Sequence, residues 1–297
     1  MIALNNLANA WQQFFHAPEP VTTLCVFRIL FGLLLVGNAC ALLPYSRQLF
    51  GPEGILGPKD LARAYPRRRL TVFHLLPATN ATAVGVVIAL LIAATALTLG
   101  FCTVAAAPLT WLCLVSLHHR NPLVFNAGDT VQRLLLFLLC FAPSGAGLSV
   151  DSWIAGENPI AALRDRQFDP WPVRLMQIQI SIVYLRSVYW KSRGKNWRNG
   201  TAVGYVLQVM PFRRFSAPRI VLLPLVTQLL TYGTLILESY IPVAVWIREL
   251  RYSAILLGWL LHLAFDLFLN VHLFGLTMCV ALVSFVPPED LANLLAI

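Results

Sequence analysis

Lysine is nearly missing from this chain. Of its 22 basic residues only Lys59, Lys191 and Lys195 are lysines, and the rest are arginines. Charge of either sign is scarce as well, since Asp, Glu, Lys and Arg together make up 12% of the residues, well under the ~25% usual in soluble domains. So few charges cannot cover the surface of a water-soluble fold. With 58% hydrophobic residues and a mean hydropathy of +0.70, the composition is that of an integral membrane protein.

Other absences narrow the class. No internal repeat of roughly 20 to 50 residues exists, which excludes solenoids and propellers, and no window alternates polar and apolar residues as barrel strands do. No tract is of low complexity. The six cysteines (Cys25, Cys40, Cys102, Cys113, Cys140 and Cys279) have neither CxxC nor metal-ligand spacing and fall in apolar windows, so they read as core residues. No Lys or Arg occurs in the first 21 residues, and the apolar run from Thr22 to Leu43 is too long for a signal-peptide core. The first span is therefore expected to stay attached. The arginines gather at the borders of apolar windows without a soluble basic domain, so nucleic acid is not an expected partner.

What is present is long apolar sequence. A bilayer core of about 30 Å takes about 20 helical residues, and on that measure the chain offers about eight spans. They cover residues 22 to 43, 80 to 103, 104 to 119, 129 to 147, 172 to 190, 219 to 247, 252 to 271 and 272 to 287. The expected fold is an all-α, polytopic integral membrane helical bundle forming one domain over residues 1 to 297. Turns are marked at Asn270 to His272 and, near residue 104, by an Ala-rich stretch with Pro108. Two long polar connections, residues 44 to 79 and 144 to 171, are expected to fold back over the bundle end. The first loop carries Arg47, Lys59, Arg63, Arg67, Arg68 and Arg69, and the fifth is also rich in Lys and Arg. With eight spans, the positive-inside rule would make both loops cytoplasmic and both termini external.

Ionisable residues inside spans are costly and face a cavity or a partner. In the fifth span Gln177, Ser181, Tyr184, Ser187 or Val188, and Lys191 follow one helical stripe, with Arg186 on another face. Burial can leave lysine as a neutral amine near pH 7, which guanidinium does not permit, so Lys191 is suited to act as a base. The alternative is that it snorkels to lipid headgroups. In the seventh span His262, Asp266 and Asn270 share a face at i, i+4, i+8; His and Asp there suit a proton relay, a hydrogen-bonded structural pair or, less readily, two metal ligands. In the sixth span Glu238 either neutralises Arg186 or Arg133 or meets a substrate. Asn126, Gly128 and Asp129 read as a turn into a helix cap, with Asp129 at a bundle mouth on the Lys191 side.

Several segments in order then resemble a known family. They are FRILFG (Phe27 to Gly32), RNPLVFNAGD (Arg120 to Asp129), LSVD (Leu148 to Asp151), QISIVYLRSVYWK (Gln179 to Lys191), Trp197, GTA (Gly200 to Ala202) and HLAFDLFLNVHLFGLTM (His262 to Met278). The chain resembles the HTTM (horizontally transferred transmembrane) domain of vitamin K-dependent gamma-glutamyl carboxylases and their bacterial relatives. The resemblance implies that Lys191 is the base that deprotonates vitamin K hydroquinone or menaquinol. Oxygen would then convert the quinol to an epoxide through a strongly basic intermediate, which takes a proton from peptide glutamate before carbon dioxide adds. It further implies that His262 positions the quinone; Tyr184, Asp129, Glu238, Asp266, Gln177 and Trp197 are expected to shape the site, and no metal is expected there.

The departures are also specific. Trp190 stands where the carboxylases have a second lysine, Asp129 falls near a carboxylase histidine, and about ten residues follow Pro287 where the carboxylases continue into a lumenal portion. Substrate capture is therefore expected to involve a small secreted peptide or a separate soluble partner protein, besides the lipid bilayer itself. The expected location is a bacterial inner (plasma) membrane. Two other classes stay open: a non-catalytic accessory protein for maturation or export of a secreted peptide, and a small proton-coupled transporter using the His262 and Asp266 face.

Overall fold

A computed structural model describes residues 2–65, 69–216 and 218–295. Arg67 and Arg68 of the basic first loop lie outside the described residues. The chain divides into two compact units, one of residues 1–175 with 286–297 and one of residues 176–285.

The long helices, in chain order, are α1 (Ile2–His16), α2 (Thr22–Leu42), α3 (Asn80–Leu99), α4 (Thr103–Arg120), α5 (Ala127–Leu139), α6 (Trp171–Arg193), α7 (Pro224–Ala244), α8 (Arg251–Phe268), α9 (Phe274–Val283) and α10 (Pro288–Leu294). The first unit also holds two antiparallel strands of two residues, β1 (Glu19–Pro20) and β2 (Gln167–Phe168). A helix occupies each of the eight apolar windows, so the fold is an all-α membrane bundle. Eight crossings are not supported, however. Only Thr22–Phe50, Asn80–Leu99 and Arg251–Phe268 are long and apolar enough among the described residues, with a fourth if Phe274–Val283 and Pro288–Leu294 form one broken span. The other windows fail for identifiable reasons: α5 has 13 residues, α4 ends in His118, His119 and Arg120, and α6 and α7 carry the polar stripes that end at Lys191 and Glu238. The orientation inferred from charge rested on eight crossings and loses that support. Leu33, Ile92, Val104, Leu229 and Leu256 stand exposed on these helices, as lipid-facing side chains do.

In the first unit, capping sets the helix ends. Thr79 accepts from the Thr82 amide at the start of α3, and Gly100, with φ of 71°, closes it. The break before α4 therefore falls at residues 100–102 rather than near 104, and Pro108 lies inside α4 without ending it. Asp151 of the LSVD segment caps α4, accepting from the Cys102 amide (2.6 Å), the Thr103 amide (2.9 Å) and the Thr103 hydroxyl (2.9 Å). Burial alone would raise the Asp151 pKa, but these hydrogen bonds and the Arg28 guanidinium outweigh it and hold the carboxyl below its ordinary range.

Arg28, from the FRILFG segment, is fully buried. It donates to the carbonyls of Ser144 (2.5 Å), Gly147 (3.2 Å) and Leu148 (2.5 Å), tying α2 to the connection that carries Asp151. All six cysteines are free thiols, and Cys40 and Cys102 are exposed rather than in the core.

Candidate functional site

The second unit brings together most of the polar residues singled out on α6, α7 and α8. Each polar side chain of the α6 stripe finds a partner there. Gln177 donates to the Ser284 carbonyl (2.6 Å), the Trp246 indole donates to Ser181 (3.0 Å), Tyr184 and His262 are joined at 2.8 Å, and Ser187 donates to Glu238 (3.0 Å). At the end of the stripe the Lys191 ammonium forms an ion pair with the other oxygen of Glu238. Helical spacing aligned the five residues, and this alignment lets one face of α6 bond to neighbouring elements in succession.

Lys191 lies at the wall of a cavity of about 850 Å³ contained within this unit. Apolar side chains such as Val206, Leu207, Leu230, Leu261 and Phe268 form most of the wall. Lys191 and Lys195 give it positive charge, and no carboxylate lines it among the described residues. The Lys191 amine also faces two aromatic rings, Trp197 at 4.8 Å and Phe265 at 5.8 Å from their centroids. Such rings favour a cation electrostatically without supplying a counter-charge. The counter-charge comes from Glu238, whose side chain is 4% exposed against 21% for Lys191. The carboxylate is thus sealed behind the amine, and the amine is the part of the pair that a molecule in the cavity meets.

His262 is buried between aromatic rings. Phe265 and Phe274, both of which line the cavity, lie 5.6 and 5.4 Å from it, edge to face. Its Nε2 is engaged by Tyr184, while its Nδ1 is buried without a hydrogen-bond partner in the structure. A buried ring nitrogen left unsatisfied in this way is costly.

Asp266 has a different task from His262, although the two are one turn apart. Its oxygens accept from the Gly275 amide (2.9 Å) and the Leu276 amide (2.8 Å), which caps the start of α9 just after the positive-φ residues His272 and Leu273. The i, i+4 pair therefore splits into one residue packed behind two rings of the cavity wall and one that fastens two helices.

Within the second unit Glu238 is paired with Lys191, and it forms no ion pair with Arg186 among the described residues. Arg186 lies over the Trp190 ring at 5.1 Å, because it projects from another face of α6. Arg133 belongs to the first unit, where it lies over Phe125 at 5.1 Å and its guanidinium is 3.5 Å from His119. Asp129 is also in the first unit, in a capping box: it accepts from the Asn126 amide (2.7 Å) while Asn126 accepts from Gly128 and Asp129. Its other oxygen lies 3.8 Å from His118 Nε2.

Residues that sequence reasoning missed are Phe265, Phe274 and Thr234, all in the cavity wall. Phe265 was detectable as the residue one helical turn beyond His262, but an aromatic in an apolar window gives no other signal.

Comparison with known proteins gives one match. The HTTM domain family model covers residues 16–289, nearly the whole chain. No curated protein and no solved structure matches. With apolar helices long enough to cross a bilayer and a family match of that extent, the chain belongs to the HTTM domain family and is an integral membrane protein.

Proposed function

We propose that the chain is a quinol-dependent membrane enzyme of the vitamin K-dependent carboxylase kind, in which Lys191 is the base. The observation that carries this reading is the placement of the Lys191 amine, backed by sealed Glu238, at the wall of a large apolar cavity. A volume of about 850 Å³ is in the range of ligand sites, which run from roughly 300 to 1,000 Å³. An isoprenoid naphthoquinol fits the cavity: the apolar wall suits the tail, and the Lys191 amine suits a hydroxyl at one end of the head.

When bound, vitamin K hydroquinone or menaquinol would supply the reducing equivalents for reaction with oxygen, with carbon dioxide the further co-substrate if carboxylation is retained. The chain's own part is proton transfer. A phenolic hydroxyl has a pKa of about 10 and needs a positioned base. A proton shift from Lys191 Nζ to Glu238 along their existing hydrogen bond leaves a neutral amine and a neutral acid. The amine then takes the hydroxyl proton and becomes the cation beside the new phenolate. Overall one proton moves from the hydroxyl to Glu238, and the total charge is unchanged. Ser187 holds the second Glu238 oxygen throughout, and the apolar wall keeps out water that would compete for the proton.

On this reading the enzyme works in a bacterial inner membrane on a glutamate-bearing secreted peptide, delivered directly or by a soluble partner. Photolabelling tests the binding step. A naphthoquinone carrying a diazirine on its tail should label peptides containing Val206 to Phe212 and Leu261 to Phe274, and excess menaquinone should suppress that labelling. Labelling spread evenly over lipid-facing helices would remove the cavity from the account.

A further inference from the structure

A second cavity, of about 350 Å³, lies within the first unit, independent of the quinol reading. Phe50, at the end of the Thr22–Phe50 stretch, Thr79, the cap of α3, and His119 and Arg120, the last residues of α4, all line it. Those helix ends place it at one membrane border. Its walls are built in advance. Arg120 donates to the carbonyls of Leu56 (2.7 Å) and Gly51 (2.6 Å), His119 Nδ1 bonds the Leu70 carbonyl (2.7 Å), and Ser116 accepts from the Val72 amide (3.0 Å).

The cavity combines two chemistries. Phe50, Leu61 and Phe73 are apolar, while Arg69, His74 and His119 bring cationic or protonatable groups, and no carboxylate lines it among the described residues. Arg69 lies over the Tyr65 ring at 4.5 Å and makes no ion pair among the described residues. Arg133 adds a further positive charge behind the wall, 3.5 Å from His119, and its Nε is buried without a hydrogen-bond partner. Asp129 offsets the Arg133 charge in part, while Arg69, near Arg133 and without an ion pair among the described residues, is relieved by an anion. A small inorganic ion would leave most of the space unfilled, since water takes roughly 30 Å³ per molecule in the liquid. A phosphate joined to glycerol and the start of acyl chains matches both the charge and the apolar wall.

We propose that this cavity binds the headgroup phosphate of an acidic phospholipid, with Arg69 as its principal contact. The test is native mass spectrometry of the purified protein in detergent, titrated in parallel with phosphatidylglycerol, phosphatidylcholine and inorganic phosphate. Wild type should retain one phosphatidylglycerol at concentrations where phosphatidylcholine is not retained. Arg69→Ala should lower that occupancy at least tenfold, and Arg69→Lys should keep most of it. Circular dichroism and melting curves identify any variant that fails to fold, and Arg69→Gln, read by the loss of the lipid-induced rise in Tm, then serves in place of Arg69→Ala. Equal retention of both lipids, undiminished phosphatidylglycerol binding by the folded variants, or retention of inorganic phosphate without the lipid would each overturn the proposal.

Discussion

Lys191 on α6 and Glu238 on α7 form an ion pair in which the carboxylate is the more deeply buried member. Removing one partner of a buried pair leaves an uncompensated charge. A fully enclosed pair loses 3–5 kcal/mol in this way, and the partial exposure of Lys191 lowers the expected cost of Glu238→Ala to about 2–3 kcal/mol. The double variant with Lys191→Ala should recover much of it, so a melting-temperature cycle over the four proteins should give a coupling well outside error. Strictly additive losses would contradict the pairing.

Tyr184→Phe removes the hydroxyl bonded to His262 Nε2 and leaves both ring nitrogens of a buried histidine without protein partners. The expected cost is about 1–3 kcal/mol, read as a lower Tm. Quinone added in excess should restore more stability to wild type than to the variant, because the ring that backs Phe265 and Phe274 of the cavity wall is no longer fixed.

Gly275 is the second residue of α9, where Asp266 reaches its amide. A β-carbon there would collide with the His262 carbonyl oxygen and lie 2.6 Å from Asp266 Cγ. Gly275→Ala is expected to destabilise by about 1–3 kcal/mol through overpacking, and Asp266→Ala by about 1 kcal/mol through loss of the cap. Thermal melts in detergent measure both, and an unchanged Tm for Gly275→Ala would contradict the close approach.

Asp151 gives a pH-dependent prediction. Its carboxyl is held below the ordinary range in the folded protein, so its contribution is complete above the unfolded pKa of about 4 and disappears as pH falls through the lower folded value. Asp151→Asn should therefore lower Tm at pH 7, and the gap from wild type should close as pH drops below about 4. A gap that stays constant over that range would show that the charge is not what caps α4.

Hydropathy located the helices because burying apolar side chains in lipid needs long runs of them, and those runs are visible one residue at a time. It overcounted the crossings because α6 and α7 have helical length but spend one face on polar partners inside the second unit. The α6 stripe was legible for the same reason, since spacing alone aligns Gln177, Ser181, Tyr184, Ser187 and Lys191. Which residue faces Glu238 was not legible, as the register between two helices is set by packing and not by either sequence. Arg186 nevertheless fails on spacing, because it lies off the face that Ser187 and Lys191 share. Asp266 illustrates the opposite limit: one turn from His262 it reads as a chemical partner, yet the turn at residues 270–273 brings amides of α9 to its carboxylate.

If Lys191 takes a proton from a quinol in the apolar cavity, epoxide turnover depends on its amine. Purified protein would be loaded anaerobically with vitamin K hydroquinone and, separately, with menaquinol, then exposed to oxygen and analysed by mass spectrometry for the epoxide. Wild type should form epoxide, and Lys191→Ala should bind the quinol but lose epoxide formation by about 10²- to 10⁴-fold, the usual contribution of a positioned base. Folded, quinol-loaded wild type that forms no epoxide with either quinol, or a Lys191→Ala variant as active as wild type, would contradict it.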